Sequence, residues 1–203
     1  MAKTISETRT TLTREELSNL SRVSSDVFFF SLFCYVIHPV RGKVRFDLYP
    51  FQKSVLYNFI AQRFNIILKF RQAGITELIS MYCLWLAMDT TAKKVLKKIK
   101  FMYKNLPWYL QTPIINGRAG EYGSASMIEF DNGSFIESIP TSSEAGRSES
   151  LSLLVIDEAA VVRWAAQIWA AAFPTLSTGG AAIVNSTPYG VGNFYHSTWV
   201  DAI

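Results

Sequence analysis

The chain has 203 residues, 49% of them hydrophobic and 14% aromatic, with 20 basic and 16 acidic side chains for a net charge of +4. That is enough apolar material for one sizeable core, and it excludes an intrinsically disordered chain. Two cysteines in apolar runs (Cys34 and Cys83) and two widely separated histidines exclude a disulfide framework and a zinc cluster; the mild basic excess permits a polyanionic partner without requiring one.

The most apolar run, residues 27–37, is far shorter than the roughly 20 residues of a membrane span and lacks the form of a secretory signal. The expectation is a soluble protein of the cytoplasm with no membrane contact. Residues 1–25 are rich in Ser, Thr and charge, and Thr13 with Glu16 has capping-box spacing, which predicts a short helix. Residues 1–47 read as an amino-terminal arm or lid. Within them, residues 28–37 fit a helix or a strand equally, 38–42 a turn and 43–47 a short strand.

Pro50 suits the first position of the next helix, which puts Phe51, Val55, Leu56, Phe59 and Ile60 on one face. Gln52 lies in its first turn, after the aromatic pair around Pro50. Its amide both donates and accepts, which suits an adenine edge as well as an ordinary surface position.

Residues 65–77, NIILKFRQAGITE, read as buried strand, tight turn and helix start, the context of a phosphate-binding loop. Against the pattern G-x-x-x-x-G-K-[ST], Gly74 and Thr76 are in place, while Lys69 replaces the first glycine and Ile75 the usual lysine. The cation then has to come from Lys69 or Arg71, with Gln72, Ala73 and Gly74 forming the turn. The alternative is a plain strand-to-helix turn with exposed basic residues.

Residues 77–88 are apolar nearly all round, predicting a helix covered on most sides. Residues 93–106 carry Val95, Leu96, Ile99, Met102, Tyr103 and Leu106 as one stripe, with six lysines elsewhere that read as a solvated face or a phosphate-backbone contact. Asp131-Asn132-Gly133 between two alternating runs signals a hairpin. Residues 141–150 read as a polar loop with Arg147 its only basic residue. Residues 153–156 are a second buried strand ending in Asp157-Glu158, and residues 164–172 a helix. Residues 181–184 are a third buried strand ending in Asn185-Ser186-Thr187-Pro188.

Three apolar strands ending in chemically useful residues are how open α/β sheets bind ligands, at their carboxyl ends. An acidic pair after an apolar strand offers one carboxylate, Asp157, for Mg²⁺ and a neighbour, Glu158, to orient an attacking water. Ser186 and Thr187, before Pro188, stand where a γ-phosphate could be sensed, the alternative being a plain turn.

Together Leu48 through Gln52, Lys69 through Thr76, Leu153 through Ala159 and Ser186 through Gly190 resemble the ATPase domain of the large terminase subunit of tailed bacteriophages and prophages. The resemblance implies a three-layer α/β P-loop NTPase of the RecA-like (ASCE) class over residues 48–203, with a mainly parallel central sheet. It implies an ATP-hydrolysing, Mg²⁺-dependent motor that drives double-stranded DNA into a procapsid. The implied partners are the portal protein, the small terminase subunit and further copies in a ring, the free chain being a monomer. By the same resemblance Gln52 contacts adenine, residues 69–76 hold the phosphates, and Thr76 and Asp157 hold the metal. Glu158 is catalytic, Ser186 and Thr187 couple hydrolysis to movement, and Arg147 reaches into a neighbour's site, with Arg71 as a further catalytic cation.

Two features depart from the family. No acidic cluster supplies its nuclease domain, so no DNA cleavage is expected. The edge strand that the family places after the phosphate-loop helix is not visible near residues 88–91. A helicase-like ATPase and a nucleotide-holding, non-hydrolysing ring or DNA-binding module are the alternatives, Ile75 favouring the latter and Glu158 opposing it.

Overall fold

Thr13 and Glu16 cap one another as their spacing requires. The Glu16 N–H donates to the Thr13 hydroxyl and the Thr13 N–H to the Glu16 carboxylate, starting helix α1 (Arg14–Ser25). The computed structural model that defines this fold describes residues 11–89, 96–116, 122–124, 126–139 and 151–203. The ambiguous stretch 28–37 divides. Asp26 caps a short helix α2 (Val27–Ser31), and the chain then extends as β1 (Tyr35–His38), paired antiparallel with β2 (Gly42–Arg45). These segments join the main core rather than standing off it: Val23, Val27, Phe30, Cys34 and Phe46 are buried in it, and the Trp85 indole donates to the Val23 carbonyl at 2.7 Å.

Helix α3 (Pro50–Ala61) begins at proline as expected, but its buried face is Gln52, Leu56 and Phe59. Phe51 and Ile60 are exposed, so the predicted stripe is rotated. Strand β3 (Phe64–Leu68) leads through the loop into α4 (Ile75–Asp89), in which Leu78, Ile79, Met81, Cys83, Leu84 and Ala87 are fully buried. Helix α5 (Leu96–Asn105) buries Leu96, Ile99, Met102 and Tyr103. Two of its lysines are committed to the fold, Lys98 to Glu77 and Lys100 to the Ser124 carbonyl, which leaves Lys97 and Lys104 exposed. Residues 90–95, with the start of the predicted lysine helix and the site of the missing edge strand, lie outside the described residues.

The predicted hairpin forms from β4 (Met127–Glu129) and β5 (Phe135–Glu137). Strand β6 (Leu153–Asp157), helix α6 (Ala165–Ala172), strand β7 (Ala181–Ser186) and helix α7 (Phe194–Ala202) complete the chain. Strands β3, β7 and β6 form one parallel sheet in that order.

Strand period two sorts the sheet's side chains. Leu153, Val155, Ile183 and Ile67 join the core under α4, whereas Leu154, Ile156, Ala182, Val184 and Ile66 face the cluster that holds Ile168 of α6 and Tyr195 of α7. Helices therefore cover both faces, as a parallel sheet requires. Cys34 and Cys83 are buried free thiols, each pushed above its ordinary pKa by desolvation. Among the described residues no helix is long and apolar enough to cross a membrane.

Candidate nucleotide site

The carboxyl ends of β3, β7 and β6 lie side by side, so Lys69, Ser186–Thr187 and Asp157–Glu158 meet although up to 118 residues separate them in the chain (187 − 69). The Lys69 N–H donates to the Ser186 carbonyl at 3.0 Å and extends the ladder by one rung. Its side chain, 9% exposed, turns to the acidic pair: Nζ is 2.6 Å from Glu158 Oε1 and 3.5 Å from Asp157 Oδ1. Thr187 holds the other Glu158 oxygen, with its hydroxyl at 3.3 Å and its N–H at 3.4 Å from Oε2.

Glu158 has φ +53°, a left-handed conformation that costs a non-glycine residue about 1–3 kcal/mol and persists only where surroundings impose it. Burial alone would raise its carboxyl pKa. The Lys69 ammonium and then the Thr187 donors outweigh that and hold it below the usual glutamate range, so Glu158 is an ionised acceptor at neutral pH.

The loop itself carries left-handed backbone at Gln72 (φ +62°) and Gly74 (φ +69°). Ile75, at the position of the usual lysine, is 3% exposed and packs into the core, so the loop's cation near the carboxylates is Lys69. Arg71 is exposed and lines a cleft of about 670 Å³ together with Phe70, Glu158, Val161, Thr187, Pro188 and Tyr189. That volume suits a small-molecule ligand. Thr76 is half-buried in the first turn of α4, and Ala73 is buried.

Two of the predicted site residues are engaged within the fold. Gln52 is 1% exposed, its Oε1 accepting from the Tyr49 N–H and its Nε2 donating to the Ala73 carbonyl, each at 3.0 Å. The amide braces the loop against α3 and is not among the side chains that line the cleft. Ser186 is fully buried, and its hydroxyl accepts from the Ala160 N–H and donates to the Thr187 carbonyl, so of the two hydroxyls only that of Thr187 reaches the acidic pair. Arg147 lies outside the described residues.

Sequence reasoning missed Phe70 and Tyr189, both about two-thirds exposed beside the cleft. Phe70 continues an aromatic shelf, with its ring 6.1 Å from Phe51, itself stacked 5.9 Å from Tyr49. The signal available was the aromatic at 70 inside a phosphate loop, next to the pair at 49 and 51.

The donors fit a hard divalent cation. The Asp157 Oδ1 accepts from the Glu158 N–H, and Oδ2 has no protein partner among the described residues. At the register position next to it on β7, the buried Asn185 amide has no partner at either end among the described residues. No three His, Cys, Asp or Glu side chains form a cage among the described residues. A cation held here would be of the Mg²⁺ kind, taking one or two carboxylates and completing its shell from phosphates and water.

No family model matches the chain. Its fold is that of phage large-terminase ATPase domains. The HK97 bacteriophage large terminase superposes with a TM-score of 0.60 at 19% identity, covering 94% of this chain and 41% of that protein. The ATPase domain of the Thermus phage P74-26 large terminase gives a TM-score of 0.53 at 18% identity, covering 75% of this chain and 69% of that one. A mutant of the same domain gives 0.52 at 17% over the same shares. The resemblance in the sequence motifs is thus met by a shared fold, with the chain spanning less than half the length of the HK97 protein.

Proposed function

We propose that the chain is the ATP-hydrolysing domain of a DNA-packaging motor of the large-terminase kind, a RecA-like P-loop NTPase using Mg²⁺. The observation that carries this reading is the convergence of Lys69, Asp157, Glu158 and Thr187 at the ends of three adjacent parallel strands, beside a strand–loop–helix turn with left-handed backbone at residues 72 and 74. The N–H groups of residues 72–76 and the positive end of α4 receive the phosphates. Lys69 exchanges carboxylate for phosphate oxygens as nucleotide enters, which supplies the charge that Ile75 cannot, and Arg71 adds a second cation from the cleft wall.

Thr76 and Asp157 hold Mg²⁺, which when bound neutralises charge on the phosphates. Glu158, ionised and steadied by Thr187, orients and polarises the attacking water. The Tyr49–Phe51–Phe70 shelf gives the base a stacking surface. Ser186, hydrogen-bonded to Ala160, ties the acidic turn to β7 and so transmits changes at Glu158 into the sheet. The polymer moved is double-stranded DNA, with a portal protein, a small terminase subunit and further copies of the chain in a ring as partners. Arg147 is the candidate for insertion into a neighbour's site.

Mg²⁺-ATP binding and hydrolysis by the purified chain over a range of protein concentrations test the proposal. The wild type should bind and turn over, increasingly with concentration if Arg147 acts between copies. Glu158→Gln should bind normally but lose on the order of 10²–10⁴ in rate, and Lys69→Ala should lose binding. A wild-type chain that binds no Mg²⁺-ATP would overturn the reading.

A further inference from the structure

Of the six buried Ser, Asn and Gln side chains among the described residues, five are hydrogen-bonded: Ser31, Gln52, Ser80, Ser134 and Ser186. Asn185 is the sixth. It is 0% exposed, and neither its Oδ1 nor its Nδ2 has a partner among the described residues. A buried polar group left unpaired costs about 1–3 kcal/mol, and an apolar residue at this strand position would avoid that cost.

Its place is specific. Asn185 is the last rung but one of the central strand, registered between Ile67 on β3 and Asp157 on β6. Strand alternation puts it with Ile183 on the face that α4 covers, the same face as Asp157 and opposite to that of Ser186. An amide that both donates and accepts thus occupies the strand position next to Asp157, on the same face of the sheet, and the Oδ2 of Asp157 has no partner among the described residues.

We propose that Asn185 is a positioning residue of the cation site, its amide hydrogen-bonding a water in the hydration shell of the divalent cation held at Asp157. This rests on the Mg²⁺-nucleotide reading above. Mg²⁺ keeps several of its waters when bound, and the groups that orient such a shell typically contribute 10–100-fold in metal affinity.

The test compares wild type, Asn185→Val and Asn185→Thr by thermal unfolding in EDTA, with ATP in EDTA, and across a Mg²⁺ titration with ATP. In EDTA alone Asn185→Val should unfold at or above the wild-type temperature, because it removes an unpaired buried amide and suits a strand. The Mg²⁺ concentration giving half of the nucleotide-dependent stabilisation should rise about 10–100-fold in Asn185→Val. Asn185→Thr, which has the same shape with a hydroxyl, should recover part of it. A residue with a purely structural role cannot give these opposite effects. An unchanged Mg²⁺ midpoint in Asn185→Val, or an equal loss of stability with and without Mg²⁺, would overturn the proposal and leave the nucleotide reading standing. A wild type that ignores both ATP and Mg²⁺ would overturn both.

Discussion

The Gln52 amide fills the space that a side chain at Gly74 would need: an ideal Cβ on Gly74 would stand 2.6 Å from Gln52 Nε2. The same nitrogen donates to the Ala73 carbonyl, and Gly74 has φ +69°, so helix α3 fixes the loop conformation from behind. Gly74→Ala should therefore carry two penalties, about 1–2 kcal/mol for left-handed backbone in a residue with Cβ and a further displacement of Gln52. In the Gln52→Ala background only the first remains. Urea unfolding of both single variants and the double variant should give a coupling of about 0.5–3 kcal/mol. Strict additivity would mean that the amide does not brace the loop.

Lys69 and Glu158 make stability depend on pH with a definite sign. The folded-state pKa of Glu158 is lowered, so protonation favours the unfolded chain. The pair's contribution is fully present above the unfolded glutamate value of about 4.3 and is lost as pH falls through the lower folded value. Lys69→Met leaves Asp157 and Glu158 adjacent without their cation, a defect that vanishes when both carboxylates are protonated. Chemical denaturation should find Lys69→Met less stable than wild type above about pH 5, with the gap closing toward pH 3. A gap that widens on acidification would contradict the arrangement.

The parallel strands were legible because a strand covered on both faces is a continuous apolar run, as at residues 153–156 and 181–184, and the acidic pair marked where one of them ends. The rotated face of α3 was not. Gln52 counts as polar in any periodicity, yet its two hydrogen bonds make burial inexpensive, so the buried stripe runs 52, 56, 59. Ser186 and Thr187 read alike as hydroxyls, and only the register of β7 turns one toward Ala160 and the other toward Glu158. Likewise, that Lys69 and not Arg71 turns to the acidic pair depends on a partner 89 residues away.

The aromatic shelf makes a prediction that depends on the base. If Phe70, 65% exposed and in ring contact with Phe51, stacks on the purine, Phe70→Ala should weaken ATP binding by about 1–3 kcal/mol. Inorganic triphosphate, which lacks a base, should bind both proteins alike. Calorimetric titration with each ligand decides it, and equal losses for the two would assign Phe70 to the loop's shape instead.

Gly180 is a test of the sheet that carries the site. An ideal Cβ there would lie 2.0 Å from the Leu151 backbone oxygen and 2.9 Å from Leu176 Cδ2, and backbone cannot yield as a flexible side chain does. The close approach lets the Ala181 N–H donate to the Ser152 carbonyl at 2.8 Å and start the β6–β7 ladder. Arg63 fastens the same turn, with Nε and Nη2 on the Gly180 carbonyl and Nη2 also on that of Leu176. Gly180→Ala should therefore destabilise by about 2–3 kcal/mol through overpacking. Because the strained ladder also registers Asp157 against Asn185, the variant should need more Mg²⁺ for nucleotide binding even at temperatures where it is fully folded. Urea unfolding midpoints and Mg²⁺ titrations made on the same sample would separate the two effects. A wild-type midpoint for Gly180→Ala would mean that the two strands do not approach this closely at their start.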